Sequence, residues 1–143
     1  MSRVNWGRLA IGGLIASVIA FVTDGVMHNF LIPHHWQALI EQLGIAPRPH
    51  APSAMVYFAI FELGRGFVSL FLYAMMRARF GAGPGTAAAA GVAGWIAFSV
   101  TGPAQFIPLG FFSDTLWVMA GGYQLVTSIV ATLAGAAVYT EKA

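Results

Sequence analysis

FAIFELGRGF, residues 58–67, places Glu62 and Arg65 three positions apart inside an apolar run that otherwise has the length and composition of a membrane-spanning helix. A charge in hydrocarbon costs about 2.5–3.5 kcal/mol on insertion scales, so it persists only where it faces a bundle interior or a water-filled cavity and finds partners. The stretch therefore predicts a multi-helix membrane protein with a polar centre. The rest of the chain must supply the other walls.

The composition agrees. Of 143 residues, 58% are hydrophobic and 8% charged, against about 25% charged in an ordinary soluble domain, and the mean hydropathy is +0.75. This length holds four spans of about 20 residues with short connections, so residues 1–143 read as a single transmembrane domain. Cysteine is absent, which excludes disulfides, thiolate nucleophiles, iron–sulfur clusters and cysteine-based zinc sites. The net charge of +2 comes from basic residues spread along the chain. They form no basic stripe, so nucleic acid is not an expected partner. The expected partners are the lipid bilayer and other membrane subunits or further copies of the chain.

The spans are expected at about residues 7–31, 54–80, 86–110 and 114–139, an antiparallel all-α bundle. In the first, Gly12, Ala16, Ala20, Asp24 and His28 recur every four residues. Such spacing makes one inward helix face on which small residues let backbones approach. Arg3 and Arg8 precede this run, and no small-residue cleavage site follows it, so it reads as a retained anchor rather than a signal peptide. Pro33 stops the helix. HHWQALIEQL (34–43) then has the pattern of a short amphipathic helix along the surface, with Trp36 at the headgroup level.

APRPHAPS (46–53) is too rich in proline for a helix and reads as an exposed connection, with Ser53 as N-cap of the second span. GAGPG (81–85) makes a tight connection to the third span, where Pro103 frees the carbonyl near Ser99 and predicts a kink. Ser113 or Asp114 caps the fourth span. Basic residues set the orientation: Arg3, Arg8, Arg77, Arg79 and Lys142 share one side and Arg48 lies on the other, so both termini are expected in the cytoplasm.

With that topology, a rise of 1.5 Å per residue puts Asp24, Glu62, Arg65, Thr101 and Gln124 at roughly the same depth, about 10–16 Å below the outer end of their helices. His28 and Gln105 sit above this layer. A guanidinium offers five donors in a fixed fork, so Arg65 is expected to bind Asp24 across the bundle while engaging Glu62, with Gln124 and Thr101 completing the network. Two carboxylates and one arginine leave one negative charge over, which invites a proton, a protonated His28 or a bound cation.

His28, His34, His35 and His50 all belong to the outer side. With Asp24 or Glu62, imidazole is acceptable ligation for zinc, iron, manganese or copper, and a lone His28 could ligate haem or a pigment axially. No HExxH, HxH or ExxH spacing occurs, and adjacent His34 and His35 are expected to point apart, so no metal site or cofactor is predicted. Trp95 and Tyr123 lie deeper than the other large aromatic residues and suit packing better than a pocket. Nucleophile-elbow, phosphate-loop and dinucleotide motifs are missing, which leaves hydrolase, nucleotide and hydride chemistry without support.

Three stretches, NWGRLAIGGLIAS (5–17) followed by Asp24, HHWQALIEQLG (34–44) and ARFGAGPGTA (78–87), resemble a widespread group of small four-helix bacterial membrane proteins of uncharacterised function. The resemblance implies the four-span fold, and it carries no activity or functional residue. The function expected from the residues is that of a non-enzymatic structural or accessory membrane subunit with a buried polar network. The alternative is a binding or transport protein for a small ligand, ion or proton with a site open to the outer side. A metal-dependent membrane enzyme is a more distant third.

Overall fold

In the computed structural model, residues 4–45 and 52–141 are described. Arg3, Arg48, His50, Lys142 and most of the proline-rich connection fall outside them. The described residues are helical with no strand. Four helices are long and apolar enough to cross a membrane: Trp6–Leu31, Ser53–Phe80, Pro84–Ala104 and Asp114–Ala137, of 26, 28, 21 and 24 residues. The chain is a multi-pass membrane protein.

The first span is α1, Trp6–Val26, continued by a π-helical turn, Met27–Leu31. Asn5 caps its start by accepting from the Arg8 amide at 3.2 Å. At its end, side chains compete for backbone carbonyls: His28 Nδ1–H donates to the Asp24 carbonyl and Asn29 Nδ2 to the Gly25 carbonyl, both at 2.8 Å. Side chains inserted into the ladder loosen the i to i−4 pattern, and the Ile32 amide reaches back five residues to Met27. Pro33 then opens α2, Pro33–Gln42, at the first helical position, where its missing N–H is no loss.

The second span is α3, Pro52–Phe80. It begins at a proline and takes Ser53 into its first turn, so Ser53 is not the N-cap expected from sequence. The third span is α4, Pro84–Trp95, followed by a π-helical turn, Ile96–Val100, and a short α5, Thr101–Ala104. It ends six residues earlier than the sequence predicts. Pro108 explains the difference, because a proline disfavours helical backbone in the residue before it and lacks the amide the helix would use. Residues 105–112 instead form turns, closed by Phe106 N–H to the Pro103 carbonyl at 2.9 Å and Gly110 N–H to Ile107 at 2.9 Å, with Gly110 at φ +76°. The irregularity expected at Pro103 appears as the π-helical turn just before it. The fourth span is α6, Asp114–Ala137, with Ser113 Oγ accepting from the Leu116 amide at 3.2 Å.

Each helix of the bundle packs on its two neighbours: α1 on α3 and α6, and α4 on the same two, with α3 and α6 also meeting across the centre. Lipid tails are as apolar as leucine, so the helices are held by close packing and polar contacts rather than by hiding apolar side chains. The side-chain distribution follows that rule. Ile11, Leu14, Val18, Val22 and Val26 face outward on α1, whereas Gly12, Ala16, Ala20 and Asp24 are buried. Where α1 and α6 cross on the side of the termini, a Cβ on Gly12 would stand 2.6 Å from the Gly135 carbonyl oxygen, so only glycine fits.

A core of Leu9, Ala16, Leu70, Tyr73, Ala90 and Ala131 fills that half of the bundle. At the end away from the termini, α2 folds over Met27, Ile32, Leu39 and Leu116. The charged residues lie between these two apolar clusters.

Candidate functional site

Asp24 occupies the last turn of α1, Glu62 and Arg65 lie one turn apart on α3, and Gln124 sits in the middle of α6. Asp24 Oδ2 accepts from Arg65 Nη1 at 3.0 Å and from Gln124 Nε2 at 2.7 Å. Arg65 Nε also stands 2.9 Å from Glu62 Oε2, an ion pair without hydrogen-bond alignment. Exposure is 2% for Arg65, 5% for Glu62 and 6% for Asp24, so these charges are screened by one another and not by solvent.

Arg65 thus reaches two carboxylates from one planar fork, which a point-charged lysine would not do. Asp24 Oδ1, Glu62 Oε2 and Arg65 Nη2 remain buried without a hydrogen-bond partner among the described residues. When ionised, the cluster carries one surplus negative charge.

Of the residues singled out from sequence, Asp24, Glu62, Arg65 and Gln124 are brought together. Thr101 is not. It is exposed, and its hydroxyl donates to its own helix at the Ala97 carbonyl, 2.8 Å away. The π-helical turn at Ile96–Val100 changes the register of the last residues of that span, which accounts for the miss. Gln105 is exposed in the turn region beyond the helix. His28 is half-buried above the network, bonded to the backbone of Asp24 and not to its carboxylate, with its ring 5.3 Å from that of Trp36.

His34 and His35 do not point apart as expected; their ring centroids are 4.1 Å from each other. They occupy the first turn of α2, where no preceding turn restricts their rotamers and the 100° offset between successive residues can be closed by the side chains. No group of three or more histidine and carboxylate side chains is arranged to hold a metal among the described residues.

Trp95 and Tyr123 act as cross-braces. Trp95 Nε1 donates to the Gly121 carbonyl at 2.8 Å and Tyr123 Oη to the Thr23 carbonyl at 3.2 Å.

No known protein family, curated protein or solved structure matches this chain. Its function must be argued from its own side chains.

Sequence reasoning missed the polar wall beneath Arg65. Ser69 on α3 and Ser128 and Thr132 on α6 are buried there. They line, with Arg65, Gly66, Ala16, Ala20 and Ala131, a cavity of about 10 Å³, measured as the space open to the centre of a water-sized sphere. The signal was available: Gln124, Ser128 and Thr132 repeat the four-residue spacing that marks the inward face of α1. A larger groove, about 260 Å³ by the same measure, lies between Ile19 and Thr23 of α1 and Tyr123, Val126, Thr127 and Val130 of α6. None of the charged residues lines it.

Arg77, which the sequence marks only as a flanking charge, ties together the ends of two spans on the side of the termini. Its Nη1 donates to the Tyr139 carbonyl at 3.1 Å, its Nε lies 3.6 Å from Glu141 Oε1, and its guanidinium stands over the Tyr139 ring at 5.6 Å.

Proposed function

We propose that the chain is a non-enzymatic membrane protein, a structural or accessory subunit of a larger membrane complex or of a homo-oligomer, in which the buried ionic network fixes how the helices assemble. The observation that carries this reading is that one oxygen of Asp24 binds both Arg65 and Gln124 and so joins three of the four spans. Buried polar contacts of this kind specify register and partner choice where hydrophobic burial cannot. The resemblance to small four-helix bacterial membrane proteins is consistent with it. It also suggests a bacterial cytoplasmic membrane, with Arg8, Arg77 and Arg79 on the cytoplasmic side.

Native mass spectrometry on protein drawn gently from its own membrane tests the assignment. Stable additional subunits, or a defined homo-oligomer, is the expected outcome. A monomer carrying a stoichiometric small ligand or metal would overturn it.

The second reading is a site for a small ligand, ion or proton. It is favoured by the buried Asp24 Oδ1, Glu62 Oε2 and Arg65 Nη2, whose hydrogen-bonding capacity the fold does not use. It requires access from the outer side, and a cysteine at Gln124 that reacts with a membrane-impermeant thiol reagent would support it.

A further inference from the structure

The cavity beneath Arg65 has the size of one water molecule: about 10 Å³ of space for the centre of a water-sized sphere, the lower limit for holding a water. Its walls are not those of a dry packing defect. Arg65 Nη2 and Ser128 Oγ are both buried with no hydrogen-bond partner among the described residues, and both residues line this space. Ser69, 3% exposed, also lines the space from α3, with its hydroxyl lying against Gly94 of α4. Thr132 does not compete for the same atoms, since its hydroxyl donates to the Ser128 carbonyl at 2.6 Å.

The chemistry narrows what can sit there. A guanidinium on the wall disfavours a cation. An anion would add to a cluster whose two carboxylates already outnumber its one arginine. An apolar occupant would leave the guanidinium and the hydroxyl unsatisfied. A neutral molecule that both accepts and donates satisfies both groups.

We propose that this cavity binds a single structural water that accepts from Arg65 Nη2 and donates to Ser128 Oγ. The water extends the ionic network one step inward. It links α3 to α6, so that each nitrogen of the guanidinium faces a partner: Nη1 Asp24, Nε the Glu62 carboxylate and Nη2 the water. This site does not depend on whether the protein is an accessory subunit, because it concerns the interior of one chain.

A lipid-phase crystal structure resolved well enough to show ordered water tests it. The expected result is a density peak within roughly 3.2 Å of both Arg65 Nη2 and Ser128 Oγ, the ordinary hydrogen-bond limit. No peak, with the Ser128 hydroxyl turned onto the carbonyl one turn before it, would overturn the proposal. A pair of variants gives a second readout. Ser128→Val fills the space and expels the water, so it should melt several degrees below Ser128→Ala, which leaves room for it. If Ser128→Val melts at the same temperature or higher, the cavity is dry and the proposal fails.

Discussion

Arg65 Nη1 lies 3.0 Å from Asp24 Oδ2 although 41 residues separate them in the chain. Both belong to helices whose lipid-facing sides are as apolar as any span, and both are almost wholly buried. In a bilayer the helices gain little from hiding apolar side chains from one another. A charge pair at their centre gives them one arrangement that no other register can match, because any slip strands a charge in hydrocarbon.

Gln124 supplies the third helix through its 2.7 Å bond to the same carboxylate oxygen. Hydrogen bonds to charged groups contribute about 1.5–3 kcal/mol. Gln124→Leu is expected to lose about that much stability, measured by thermal unfolding in nanodiscs. Gln124→Glu should lose more, because it adds a third carboxylate to a cluster with one arginine. Equal stability of the two variants would mean that the side chain of Gln124 contributes packing only.

Arg65→Lys is expected to behave as a loss rather than a conservative change. One ammonium cannot reproduce Nη1 on Asp24 and Nε beside Glu62 together. Thermal unfolding should place this variant well below the wild type.

At their crossing on the side of the termini, Gly12→Val should separate α1 from α6, since even the first added carbon would meet the Gly135 carbonyl oxygen at 2.6 Å. Overpacking of this kind costs about 1–3 kcal/mol. The loss should be visible as a lower melting temperature, whereas Gly64→Ala, at a position where an added Cβ meets nothing, should be close to neutral.

Arg77 and Glu141 are about one-fifth exposed and 3.6 Å apart, so their ion pair is screened. Glu141→Gln should therefore change stability by less than about 1 kcal/mol. Arg77→Ala should cost more, because it also removes the bond to the Tyr139 carbonyl and the contact with that ring. Comparing the two variants at low and high salt separates the screened part from the rest.

The chain has no cysteine, so single introduced cysteines report topology without background. On the proposed orientation, with both termini cytoplasmic, a cysteine at Glu41 on α2 should react with an impermeant thiol reagent added outside, and one at Ala82 should react only in inverted vesicles; the reverse pattern would overturn that orientation. A cysteine at Gln124, half-buried in the centre of the bundle, should stay unreactive from both sides.

The helical character, a tight connection within residues 81–85 and the inward face of α1 were legible in the sequence, because spacing by four and glycine–proline punctuation are local signals; Pro84 and Gly85 prove to belong to the first turn of α4. The meeting of Asp24, Glu62, Arg65 and Gln124 was legible for a different reason: buried charges have few ways to be satisfied, and depth along each helix restricts them further. Thr101 was misplaced because Pro103 signals an irregularity near Ser99 but not its form, and a π-helical turn there alters the register of the residues that follow. Pro108 was the overlooked signal that ends the third span. The Ser69, Ser128 and Thr132 wall was overlooked because hydroxyl side chains carry no charge to force a partner, so their spacing alone had to reveal them.

The most direct test is thermal unfolding in lipid nanodiscs of Arg65→Leu beside the neutralised triple variant Asp24→Asn/Glu62→Gln/Arg65→Leu. Removing one partner of a buried ion pair costs about 3–5 kcal/mol, whereas removing all the charges together costs less. The expected result is a large loss of stability in the single variant and partial recovery in the triple. If Arg65→Leu unfolds and assembles as the wild type does, the network does not hold the bundle together and the structural reading is wrong.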